Sequence, residues 1–327
     1  MTRTLGPTAE QVRTMRQSIF SQISDEPPLV SRRVAAGGRG RTRIAFAAVG
    51  AAAAAALVVG SIFLPGGPDS SAEAATILND AADLSIASAE IVAKSGQYLR
   101  IETHASYTNV GSSADGEKVS WVAPETTVVY KPADSDAEWV MERRQEIPTE
   151  FFGEGAEAAA MESWEDSKNS ATQNGIFRAR DAAFYGSPDP AWATDFLPRD
   201  PQKLYEYIRD EYNGGSTNAD EDAWVRITAL LRTGTAPADL RSALYSVAAM
   251  IPGIEIVPGG ATLNGRTGIA IGRFEPARDE RQDIIVDPTT GDLIGERTVR
   301  TVAGFGAPAG ITRAATSVTT SVVTSTP

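Results

Sequence analysis

The sequence predicts an α+β protein: one N-terminal transmembrane helix, then an extracytoplasmic domain of antiparallel sheet packed with helices. Three observations carry this. Residues 44–64 hold no charged side chain over 21 positions. The charge changes sign across that stretch. Downstream, segments with strand, helix and again strand character follow one another, the order of an antiparallel α+β domain rather than of alternating βαβ units.

The 327 residues carry 30 Lys+Arg and 42 Asp+Glu, a net charge of −12. That figure is an average over unlike parts. Residues 1–43 hold eight Arg and three acids, net +5, and residues 65–327 are net −17. At 1.5 Å per residue, residues 44–64 span about 32 Å as a helix, enough for a hydrocarbon core of roughly 30 Å. Positive charge stays on the cytoplasmic side, so the N-terminus is expected inside and residues 65–327 outside the plasma (inner) membrane. A cleaved signal peptide needs a shorter leading region than 43 residues, although Ala72-Glu73-Ala74 would suit a processing site. Ser31-Arg32-Arg33 lies too far ahead of the apolar run for a twin-arginine signal. A lipoprotein is excluded because the chain has no Cys. The expected organisation is a cytoplasmic segment 1–43, a signal anchor 44–64, a linker 65–72 and an outer domain 73–327.

Within the cytoplasmic segment, Thr8-x-x-Gln11 has the form of a capping box. Val12, Met15, Ile19 and Ile23 then recur on one face of a short helix, with Arg13 and Arg16 opposite. An isolated helix of about 15 residues is marginal in water. These four apolar residues are therefore the expected partner-binding surface, facing either a grooved cytoplasmic protein or the lipid bilayer. Arg32 to Arg43, broken by Gly37, Gly38 and Gly40, reads as a flexible topology signal and not as a nucleic-acid site.

In the outer domain a helix is expected over 74–94, with Ile77, Ala81, Leu84, Ser88 and Ile91 facing inward. Strands are expected over 97–108, 118–130 and 138–147, where β-branched and aromatic residues concentrate. Residues 150–166, acidic and Ala-rich, read as a solvated loop or short surface helix, and 176–184 as strand or helix. Asp200-Pro201 pairs an N-cap with Pro at the first helical position. Leu204, Ile208 and Tyr212 continue that helix. A second covers 220–232 with Trp224, Ile227 and Leu231 inward, and a third starts near Pro237 with Leu240, Leu244, Val247 and Ile251. Strands follow over 254–257, 267–274, 283–287 and 292–301, with a tight hairpin at Asp287-Pro288-Thr289-Thr290-Gly291. The Thr-, Ser- and Val-rich tail 311–324 suits a last strand or a disordered end equally on composition.

The chemistry-bearing residues are sparse. Without Cys and with a single His, thiol, zinc-finger, iron–sulfur and His-triad chemistry drop out. No Gly-rich phosphate loop or Gly-x-Ser-x-Gly elbow occurs. The acid groups Asp134, Asp136, Glu138 and Glu162, Glu165, Asp166 read as surface charge rather than paired catalytic carboxylates. Asp220, Glu221 and Asp222 lack the Gly and closing Glu of a calcium loop and read as acids favouring a helix N-terminus. His104 reads as a surface residue. No enzyme, cofactor or metal is expected.

Gly96-Gln97-Tyr98, Ala243-Leu244-Tyr245, the run Ala248 to Gly253, Gly265-Arg266-Thr267-Gly268-Ile269-Ala270 and Asp287-Pro288-Thr289-Thr290-Gly291-Asp292-Leu293 occur in that order. Together they resemble an actinobacterial family of single-span membrane proteins of unassigned activity. Its members are often adjacent to extracytoplasmic-function sigma factors and are described as anti-sigma-like. The resemblance implies that 311–324 is a final strand and that the helix at 8–23 contacts a sigma factor or another cytoplasmic regulator. It supplies no catalytic residue, and the absent Cys argues against a zinc-containing anti-sigma module. The plan of the outer domain is similar to periplasmic lipoprotein-carrier and sigma-regulator sensor folds, which implies an apolar envelope ligand.

Overall fold

The computed structural model describes residues 68–327, apart from 89, 172 and 189. The expected transmembrane segment and the face made by Val12, Met15, Ile19 and Ile23 lie outside the described residues. Among the described residues, no helix is long and apolar enough to cross a membrane.

The α+β expectation holds for the described domain: ten strands form one antiparallel sheet packed with helices. Helix α1 (Pro68–Ala87) is followed by β1 (Tyr98–Ser112), β2 (Lys118–Pro132), β3 (Trp139–Gln145), the two-residue β4 (Phe151–Phe152), α2 (Ala156–Ser167) and β5 (Gly175–Ala179). Helices α3 (Pro201–Asp210), α4 (Ala219–Arg232) and α5 (Ala238–Ala248) come next. The chain closes with β6 (Ile254–Leu263), β7 (Arg266–Glu275), β8 (Glu280–Val286), β9 (Leu293–Arg300) and β10 (Thr312–Val323). The strand order is β5-β3-β2-β1-β10-β9-β8-β7-β6, with β4 pairing β2 off that path. The C-terminal strand β10 therefore joins the two halves, running antiparallel to β1 from Tyr98↔Val323 to Tyr107↔Ala314 and against β9 on its other side.

Local signals explain the central helices. Asp200 Oδ1 accepts from the Lys203 amide (2.9 Å) and Pro201 opens α3. Asn218 Oδ1 accepts from the Asp220 and Glu221 amides at 3.1 and 2.8 Å, capping α4. These bonds satisfy amides that a helix start leaves unpaired. The inward stripes then meet the sheet. Leu204, Ile208, Trp224, Ile227, Leu240 and Leu244 are all at most 2% exposed, and they share one core with Ile101, Ile254, Ile271 and Ile284 from the strands. The Asp287–Gly291 turn closes with the Gly291 amide donating to Asp287 O (2.9 Å) while Gly291 takes φ +73°.

Helix α1 keeps Ala81 of the expected inward face, with Ile77 packed against the core, and corrects the rest of that face and the length. It ends at Ala87, and its buried side is Ala74, Leu78, Ala81, Ala82 and Ser85. Ile91, expected inward, lies beyond the helix and is 49% exposed. The helix rests on small side chains, which allow close approach. A Cβ on Gly291 would stand only 2.8 Å from Ala81 O and from Leu84 Cβ.

The sheet also curls. Ala270, Ile285 and Asp283 face away from the helices, yet none is exposed at all. A break in the β6–β7 register between Val257 and Ala261 bends β6 over this face. Leu263 then lies 2.9 Å from where a Cβ on Gly295 would stand. A second apolar cluster fills the curl: Val257, Ala261, Ala270, Ile285 and Ile294. Beside it lies a buried ion cluster. Arg281 Nε and Nη2 donate to the two Asp283 carboxylate oxygens at 2.6 and 3.0 Å, and Arg297 Nε donates to Oδ2 at 2.8 Å.

Candidate functional site: a polar cleft between the sheet and α2

Strand alternation places one set of polar and aromatic residues on the helix-bearing side of β1, β2 and β3. Asn109 is opposite Trp121 and Tyr107 opposite Ala123; Glu125 is opposite Gln145 and Thr127 opposite Arg143. Helix α2 lies against this end of the sheet, where Ala156 and Ala160 bury against Val119 and Trp121. The Ala-rich composition that reads as loop or surface helix in the sequence is thus the small-residue face that lets α2 seat closely. The Trp121 ring lies over Gly111, whose absent Cβ would stand 2.7 Å from ring atoms Cη2 and Cζ3.

Between α2 and the sheet a cavity of about 220 Å³ remains. Tyr107, Trp121 and Trp164 supply its aromatic surface, Pro124 and Pro148 its rigid rim, and Asn109, Glu125, Arg143, Gln145, Glu146, Ser163 and Ser167 its polar groups. Arg143 Nη2 donates to Glu125 Oε2 at 2.6 Å, and its Nη1 donates to the Tyr185 hydroxyl at 3.3 Å. Desolvation works against the Arg143 charge, but the Glu125 carboxylate outweighs it and raises the guanidinium's pKa. Thr127 Oγ1 donates to Glu125 Oε1 (3.2 Å), and Thr126 Oγ1 donates to Glu146 Oε1 (2.8 Å). Desolvation of its hydroxyl end raises the Tyr107 phenol, although 44% of the residue's surface stays exposed.

Three buried polar atoms in this wall have no hydrogen-bond partner: Arg143 Nε, Gln145 Oε1 and Trp164 Nε1. Leaving such a group unsatisfied costs roughly 1–3 kcal/mol. Their gathering in residues that line one cavity distinguishes the cleft as a place where a ligand's polar groups would gain most.

The residues singled out from sequence lie elsewhere. Asp134 accepts the Gly96 amide at 2.8 Å, which with Ser95 lowers its pKa and marks it as a turn-forming group. Glu162, Glu165 and Asp166 are exposed on α2. His104 points from the opposite sheet face, 3.3 Å from Thr126 Oγ1 and 3.5 Å from Glu102 Oε1. The acids of the α4 first turn carry more than a dipole role. Glu221 and Asp222 are buried, and they pair with Arg278 (2.5 Å) and Arg226 respectively. Among the described residues, no group of three or more His, Asp or Glu side chains could hold a metal ion. The cleft residues come from segments 107–125, 143–148 and 163–167, and only the register of three strands and the seat of α2 bring them together.

No family model matches the chain, and no curated protein matches it.

Proposed function

We propose that the chain is a non-enzymatic, single-pass membrane protein in which an extracytoplasmic domain binds an envelope ligand and a cytoplasmic helix reports inward. The observation that carries this reading is the charge pattern: net +5 over 1–43, none over 44–64 and −17 over 65–327. Residues 44–64 act as the anchor, and the positive flank keeps the N-terminus in the cytoplasm. Val12, Met15, Ile19 and Ile23 form the apolar face that meets a sigma factor or another cytoplasmic regulator. The resemblance to the anti-sigma-like family supports that choice of partner, and the cleft beside α2 supports a binding role for the outer domain.

A second reading is an anchored envelope-binding or lipid-carrying domain without signalling. The cleft favours its first form, because ligand binding there requires nothing from residues 1–43. Its lipid-carrying form finds less support, because the layer between helices and sheet is filled by buried side chains such as Trp224, Leu240, Leu244 and Tyr245.

The two readings separate in one experiment. The full chain and a form lacking residues 2–30 are used as baits for the cytoplasmic fraction of the source cell. The sensor reading expects a regulator bound by the full chain and lost on deletion. Equal recovery, or recovery of lipid alone, overturns it and leaves the anchored binding domain.

A further inference from the structure

We propose that the cleft beside α2 is a saccharide site that takes one neutral, hydroxyl-rich ring. This rests on reading the cleft as the ligand site of the outer domain, and it names the ligand's chemistry.

Among the described residues lining the cleft, Arg143 is the one cation, and Glu125 already engages it at 2.6 Å. The Glu146 carboxylate turns to Thr126 on the opposite face, so the charges within the cleft cancel and no uncompensated cation is left to hold a phosphate or carboxylate ligand. A quaternary ammonium would suit the aromatic rings. However, Arg143 Nε and Trp164 Nε1 are N–H donors without an acceptor, which a cation cannot supply. Lys168 Nζ also stands over the Trp164 ring, 4.8 Å from its centre. An acyl chain would leave all three unpartnered atoms as they are.

A sugar answers each of these features. Each hydroxyl both donates and accepts, so neighbouring hydroxyls can serve two N–H donors and the Gln145 carbonyl together. The C–H face of the ring packs against an aromatic ring, and Trp121 and Tyr107 line the cleft with such rings. The volume of about 220 Å³ suits a single ring unit rather than a long chain. The three unpartnered atoms are buried in side chains that line the cleft, so a ligand reaches them by displacing those side chains, Trp164 among them. Indole fluorescence would therefore report it.

The test uses the full chain in lipid nanodiscs, free of sugar-based detergent. The probes are N-acetylglucosamine, glucose, galactose, mannose and arabinose, with choline chloride and inorganic phosphate for comparison. Binding is followed by saturation-transfer NMR and tryptophan fluorescence. The proposal expects saturable binding of at least one sugar. Trp164→Phe keeps a ring and removes the donor, and Gln145→Leu removes the acceptor. Each should weaken binding roughly tenfold, as loss of one buried hydrogen bond does, at an unchanged melting temperature. Sugar binding that both variants leave intact overturns assignment to this cleft. Binding of choline or phosphate but not sugar, abolished by Trp164→Ala, overturns the saccharide chemistry and keeps the cleft as a ligand site. No perturbation by any probe overturns both.

Discussion

Asp283→Asn keeps the shape of the side chain and removes its charge from between two guanidiniums. Asp283 is fully buried, and Arg281 and Arg297 are 3% and 6% exposed as side chains. Three hydrogen bonds of 2.6, 3.0 and 2.8 Å converge on the carboxylate, so both oxygens are engaged. Water cannot take over when the charge goes. Breaking a buried ion pair from one side costs roughly 3–5 kcal/mol. For a domain of this size each kcal/mol lowers the melting temperature by about 2–4 °C, so the expected fall is roughly 6–20 °C. Circular dichroism of both proteins at neutral pH measures it. The replacement Arg281→Met, Asp283→Leu and Arg297→Met, made together, removes the charges as a set and should come out near neutral or stabilising. If Asp283→Asn melts within about 3 °C of the parent, corresponding to roughly 1 kcal/mol, the curl does not isolate this cluster from water and the reasoning is wrong.

Other expectations follow from the same contacts. Gly295→Ala would drive a Cβ into the Thr316 carbonyl and to 2.9 Å from both Leu263 Cδ1 and Ser317 Cα. Such overpacking against backbone should cost about 3 kcal/mol or more, and an unchanged urea midpoint would deny the curl of β6 over β9. Asp200→Ala should lose about 1 kcal/mol through the α3 cap, read from the same denaturation curves. Glu275 is desolvated, which pushes its pKa up, but bonds from Asn218 Nδ2 (2.7 Å) and Arg273 Nη1 (3.1 Å) outweigh this and hold it below its ordinary 4.5. Its contribution is therefore present above the unfolded value and lost as pH falls through the lower folded value. Glu275→Gln should flatten the stability loss measured below about pH 5, and equal acid slopes would exclude the assignment.

The elements that could be read from sequence are those whose signals are local. Helices α3 and α4 carry their own caps, α3 to α5 carry their inward stripes, and Trp224 and Leu244 fall where the periodicity puts them. Strand β10 could not be settled by composition, because Thr, Ser and Val suit a strand and a loose end alike. What fixes it is pairing with β1, about two hundred residues away, and with β9. The face of α1 is only partly legible because Ala and Ile are spread around it: Ala81 is buried as expected, but the close approach to α5 and the Gly291 turn adds Ala74 and Leu78 and leaves Ile91 out. The buried charges were hidden by the ordinary rule that acids lie on the surface. Glu221, Asp222 and Asp283 break it by pairing with Arg residues that have no local relation to them, apart from Arg226 one turn away and Arg281 two residues before Asp283. The cleft had no motif to find. Arg143, Gln145 and Trp164 acquire meaning only when β3 and α2 meet.

The topology can be measured directly because the chain contains no Cys. Ala114→Cys introduces a single thiol in the exposed turn between β1 and β2, and Thr2→Cys introduces one in the segment assigned to the cytoplasm. Intact source cells are treated with a membrane-impermeant maleimide, before and after permeabilisation. The account predicts immediate labelling at Ala114→Cys and labelling at Thr2→Cys only after permeabilisation, with both proteins in the membrane fraction. Labelling at Thr2→Cys alone in intact cells, or at neither position until the membrane is opened, would contradict it.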